Sequence, residues 1–136
     1  MSWWLRIKNE KGEIPEVLVN SFYIGGTYEI EPNTGLTIVG PCEVNVTYNY
    51  SRLLREAGMK DALNGYYGRE IDQQLVDELC SIEANLERMC VEVEAEPSGD
   101  YWNGDDPYNV LKFVHWFREV SEKLVARGGK FVCEVT

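Results

Sequence analysis

Apolar and polar positions alternate through residues 42–49, with Cys42, Val44, Val46 and Tyr48 on one side and Glu43, Asn45, Thr47 and Asn49 on the other. A period of two predicts a half-buried strand over 42–48. Shorter extended runs are predicted at 3–8, 16–20, 27–31 and 36–39. Turn-forming clusters separate them: residues 9–12, the pair Gly25 and Gly26, and residues 32–35. Gly40 and Pro41 end the fourth run and deliver the strand at Cys42.

Further on the period becomes helical. Ile71, Leu75, Leu79, Ile82 and Leu86 form one stripe and predict a helix over 69–88, with Asp72, Gln73, Asp77 and Glu87 facing water. Val110, Leu111, Val114, Phe117, Val120 and Leu124 predict a second long helix over 107–127, with Lys112, His115, Glu119 and Glu122 on its opposite face. Asp106 and Pro107 suit its first turn, and Arg127 with Gly128 and Gly129 suits its end. A short helix is expected over 52–57, capped by Ser51 and stopped by Gly58. Val91, Val93 and Ala95 alternate with Glu92, Glu94 and Glu96, which predicts a strand whose three carboxylates protect an edge. Residues 97–106 are the longest irregular stretch, and 131–135 read as a closing strand. The fold class expected is α+β, a single domain over 1–136: a mostly antiparallel sheet with two long helices and one short helix on one face.

Size and charge narrow the functional classes. A chain of 136 residues can bury a core without staples. Its formal charge of −10 argues against direct binding of nucleic acid, because such binders gather Lys and Arg against phosphates. It suits a cytoplasmic protein or a surface that meets a basic partner. The opening residues lack the pattern of a signal peptide, and no apolar run approaches the roughly 20 residues of a membrane span. Cys42, Cys80, Cys90 and Cys133 lie in apolar patterns without Cys-x-x-Cys pairing, and are expected to be buried, reduced thiols. Of Trp3 and Trp4, one is expected in the core and one over an edge. His115, the single histidine, has Glu119 one turn on and is expected to form an exposed ion pair. No phosphate-cradling loop, paired histidines or nucleophile elbow is present, so no enzyme, catalytic residue, metal or cofactor is expected.

The candidate site lies where the strand runs into the short helix. Asn45, Thr47 and Asn49 offer neutral donors and acceptors. Ser51, Arg52 and the helix N-terminus suit a phosphate, and Tyr50, Tyr101 or Trp102 could stack on its base. The first reading is therefore binding of a small phosphate-bearing, nucleotide-like ligand. A second is that the acidic surface, Glu92, Glu94 and Glu96 included, binds and blocks a basic surface of a host protein. A third is internal wiring, in which Asn49 and Ser51 cap the helix and Asn45 satisfies a loop, leaving a structural domain of unknown role. None of the three fixes an oligomeric state.

Several blocks resemble a family of small uncharacterised proteins carried by phages and prophages. They are Gly25 to Tyr28, Val44 to Ser51 with its Thr47, Tyr48, Asn49 and Tyr50 centre, Leu63 to Gly65 with Gly68 to Glu70, and Asp100 to Trp102 with Asn109. The likeness runs from Gly25 to the last helix; the chain departs from it in continuing through residues 130–136. The resemblance implies a viral accessory role in the host-cell cytoplasm, counteracting host defence, and supplies no reaction and no active site.

Overall fold

The computed structural model describes residues 1–21, 23, 25, 29–30, 38–93 and 99–136. In chain order the elements are β1 (Ser2–Asn9), β2 (Glu16–Val19), β3 (Glu29–Ile30), β4 (Ile38–Pro41), β5 (Glu43–Thr47), α1 (Ser51–Glu56), β6 (Lys60–Leu63), α2 (Gln73–Glu92), α3 (Pro107–Arg127) and β7 (Phe131–Val135). Two 3-10 turns, Tyr48–Tyr50 and Asn64–Tyr66, lead into α1 and out of β6. The expected runs at 27–31 and 36–39 are seen only as parts of β3 and β4; the rest of them, and the turn at 32–35, lie outside the described residues. β4 runs through Gly40 to Pro41 rather than ending before them.

The chain is α+β. Its main sheet has the order β5-β1-β7, antiparallel throughout, and a second small sheet has the order β2-β4-β3. Central β1 alternates: Trp3, Leu5 and Ile7 are buried, and Trp4, Arg6 and Lys8 face outward. Trp3 is therefore the core tryptophan, while Trp4 lies on the open sheet face with the Arg6 guanidinium 5.1 Å from its ring. Both edges of the main sheet are covered. The Asn45 N–H of β5 donates to the Gly25 carbonyl at 2.9 Å. On β7, Cys133 N–H donates to Arg69 O at 2.8 Å, and its carbonyl accepts from Gly68 N–H at 2.9 Å.

Two long helices and one short one pack on the inner face, α3 at the centre. Val110, Val114, Phe117, Val120 and Leu124 are buried as expected, and so are Phe113 and Trp116. Tyr23 and Tyr66 meet Phe113 and Phe117 edge-on, with ring centroids 5.4 and 5.9 Å apart. Each such side chain, fully buried, stabilises the fold by about 1.5–3 kcal/mol.

Several expectations need correction. The helix expected from Arg69 begins at Gln73, because Gly68 to Ile71 run along the outer edge of β7. Asp72 is its cap, with Oδ1 accepting from Leu75 N–H at 2.9 Å. Val91 and Glu92 belong to α2 and Val93 ends it, so no strand starts there; Glu94, Ala95 and Glu96 lie outside the described residues. Cys80 is exposed, while Cys42, Cys90 and Cys133 are buried, and burial pushes the Cys42 and Cys133 thiols up to about 12. Glu119 does not face water. Its carboxylate accepts from the N–H groups of Asn20 and Ser21 and from the Ser21 hydroxyl, fastening the end of β2 to α3. Burial pushes its pKa up and these hydrogen bonds more than offset that, leaving it below the ordinary value. His115 accordingly turns to Glu83, Nδ1 to Oε1 3.1 Å, with Glu119 at 3.9 Å.

Candidate binding site at the strand-to-helix junction

The alternation of β5 stops at Thr47. Its Oγ1 accepts from Asn49 N–H at 3.2 Å, which starts a 3-10 turn that continues directly into α1. Tyr48 therefore leaves the buried side of the strand and is 39% exposed. Ser51, expected as the helix cap, is instead the first residue of α1, and its hydroxyl and its N–H both donate back to Tyr48 O, the hydroxyl at 2.6 Å. Two N–H groups that a phosphate would use, those of Asn49 and Ser51, are thus engaged internally.

The loop 100–106 packs against this turn and carries its own wiring. The Asn109 amide, from the first turn of α3, donates to Asp100 O at 2.7 Å and to Asn103 O at 3.1 Å. Asn103 Oδ1 accepts from Asp105 N–H at 3.0 Å, and Asp106 Oδ1 caps α3 at Tyr108 N–H, 2.9 Å. Three residues of the junction then hold the loop. Asn49 Nδ2 donates to Trp102 O at 2.9 Å, the Tyr50 hydroxyl donates to Tyr101 O, and Arg52 reaches Asp105 at 2.8 Å and Glu56 at 3.1 Å. Gly104 is required here, because a Cβ on it would collide with the Asn49 carbonyl. Burial pushes the Tyr50 phenol up to about 12, so it remains a donor at neutral pH.

The structure thus brings Asn49, Tyr50 and Arg52 together with Tyr101 and Trp102. The two residues are 46% and 54% exposed although their backbone is tied down. Asn45 and Thr47 stand apart from this clamp. The Asn45 amide lies on the open sheet face and donates to Ser2 Oγ at 2.7 Å and Trp3 O at 3.3 Å. Its carbonyl accepts from the Tyr23 hydroxyl at 3.1 Å, and Gly25 sits so close to that carbonyl that a Cβ would collide with it. Gly104 and Asp105 were not anticipated from the sequence, and Asn109 only through the family resemblance. The available signal was Asn and Asp clustered around a Gly, residue types that bond local backbone.

Among the described residues no group of three or more His, Cys, Asp or Glu side chains could hold a metal ion, and no helix is long and apolar enough to cross a membrane. No family model, curated protein or solved structure matches the chain. What this arrangement can do chemically is present two aromatic rings between carboxylates from a loop that does not have to be ordered on binding.

Proposed function

We propose that the chain is a small, acidic, non-enzymatic binding protein of the phage accessory kind, which acts by docking the Tyr101 and Trp102 loop on a basic surface of a host protein. The observation that carries this reading is the pairing of exposed rings with a fixed backbone: Tyr101 and Trp102 are about half exposed while their carbonyls are held by Tyr50 and Asn49. Aromatic side chains dominate the energetic centres of protein interfaces, and a pre-ordered loop avoids the entropy cost of ordering. Asp105, 84% exposed at its side chain, and the net charge of −10 favour a cationic partner. A phosphate-bearing ligand at Asn45, Thr47, Asn49, Ser51 and Arg52 has less support, since the three polar side chains Asn45, Asn49 and Ser51 already donate internally and Arg52 is met by two carboxylates.

The test compares wild type with the Tyr101→Ala, Trp102→Ala double variant, both immobilised and exposed to bacterial lysate at low and high salt. The variant melts at the wild-type temperature. A basic protein is retained by wild type at low salt, released at high salt and not retained by the variant. Equal retention by both proteins removes the loop as the contact.

A further inference from the structure

At the far end of α3 the chemistry is reversed. The hairpin after β1 and the turn between α3 and β7 border an open recess of about 470 Å³ lined by Lys11, Glu13, Arg127, Lys130 and Phe131, among others. Asn9 and Glu10 of the hairpin tip also line an adjoining cavity of about 300 Å³, whose other walls include Lys8, Tyr67, Gly68 and Glu134. The two recesses adjoin at the hairpin tip, which walls both.

Three features of that surface converge. Lys11, Arg127 and Lys130 form no ion pair within 4.0 Å among the described residues; Arg55, Lys60 and Lys112 form none either, but Lys11, Arg127 and Lys130 line one recess together, whereas Arg6, Lys8, Arg52, Arg69, Arg88, Arg118 and Lys123 are all paired. One Arg127 nitrogen donates to the Glu16 carbonyl at 2.9 Å, which leaves the rest of its guanidinium fork available. Glu10 and Glu13 belong to the hairpin wall; the opposite wall, 127–131, carries two cations and no acid. Finally, Tyr67 is 70% exposed, the most of any aromatic side chain among the described residues. Its backbone is fixed, because the next N–H, that of Gly68, is bonded to β7.

We infer that this surface is a binding site for a nucleoside polyphosphate, whose base stacks on Tyr67 while its phosphates meet Lys130, Arg127 and Lys11. Unpaired cations in an acidic chain supply the charge that a polyphosphate requires, and an exposed ring supplies the sequence-tolerant face that any base can use. The site is separate from the aromatic loop at the other end of α3.

The experiment is titration calorimetry of the full chain with ATP, inorganic triphosphate and adenosine, without added metal. ATP binds saturably, and the two fragments bind roughly tenfold or more weakly. Lys11→Ala with Lys130→Ala weakens ATP and triphosphate alike. Tyr67→Ala lowers ATP to the triphosphate level and leaves triphosphate unchanged. Arg52→Ala changes none of these, and thermal melts show every variant folded. Absence of saturable ATP binding, ATP binding indifferent to Tyr67→Ala and Lys130→Ala, or its loss in Arg52→Ala overturns the assignment.

Discussion

The two ends of α3, a helix of 21 residues and so about 30 Å long, make opposite use of their polar side chains. At the N-terminal end Asn49, Tyr50, Ser51 and Arg52 are spent on the protein itself, and the groups left for a partner are the rings of Tyr101 and Trp102. At the C-terminal end Lys11, Arg127 and Lys130 hold no ion pair among the described residues, around shallow cavities. A run of polar residues in a sequence therefore reports capacity for hydrogen bonding, and the partner of each group decides whether the run is a site or a clamp.

Substitutions can break this comparison, and the largest effect belongs to Gly104→Ala. A methyl group there meets the Asn49 carbonyl, and forcing the loop away is expected to cost about 3 kcal/mol, the upper range for an overpacked position, read by urea unfolding. Wild-type stability in this variant would show that the loop is not held against the junction.

Next comes Glu119→Ala, expected to cost about 2 kcal/mol because the buried N–H of Ser21 and the half-buried N–H of Asn20 lose their acceptor. Its pH dependence has a definite sign. The folded-state pKa of Glu119 is depressed, so its contribution is present above the unfolded carboxyl value of about 4.3 and is lost as pH falls through the folded value. The stability difference between wild type and Glu119→Gln should accordingly shrink on acidification below that value. A gap that is constant with pH would contradict the clamp.

Asn49→Ala should cost about 1 kcal/mol, the net worth of one hydrogen bond, and should loosen the Trp102 segment in hydrogen exchange. Smallest of all is Arg52→Ala. Its ion pairs with Glu56 and Asp105 are solvent-exposed, so the melting temperature should not change measurably at any salt concentration. The same null result is expected for Lys11→Ala with Lys130→Ala, whose ammonium groups hold no ion pair among the described residues. A marked loss of stability in either would erase the distinction between the clamped end and the open one.

Local periodicity determined much of the fold. Alternation through Trp3 to Lys8 and Val44 to Thr47, and helical spacing from Leu75 to Leu86 and Val110 to Leu124, each describe one buried face, which the chain must cover whatever its neighbours are. The class α+β and the span of α3, with Asp106 as its cap, followed from those patterns. The run from Val91 to Glu96 misled, because its alternation is short and Val91 and Glu92 continue the preceding helix, whose hydrogen bonds already exist and need no new partner strand. Arg69 to Ile71 looked like the start of that helix and instead, with Gly68, pair with β7, a contact some 60 residues distant. The site was legible as a set of residue types and not as a role. Asn49, Tyr50 and Arg52 could offer donors to a ligand or to Trp102, Tyr101 and Asp105, and the internal bonds to the loop became visible only with the approach of Gly104 to the Asn49 carbonyl. Hydrogen-bond capacity belongs to the side chain and is written in the sequence; satisfaction depends on which distant backbone arrives within about 3 Å, and that is decided by packing alone.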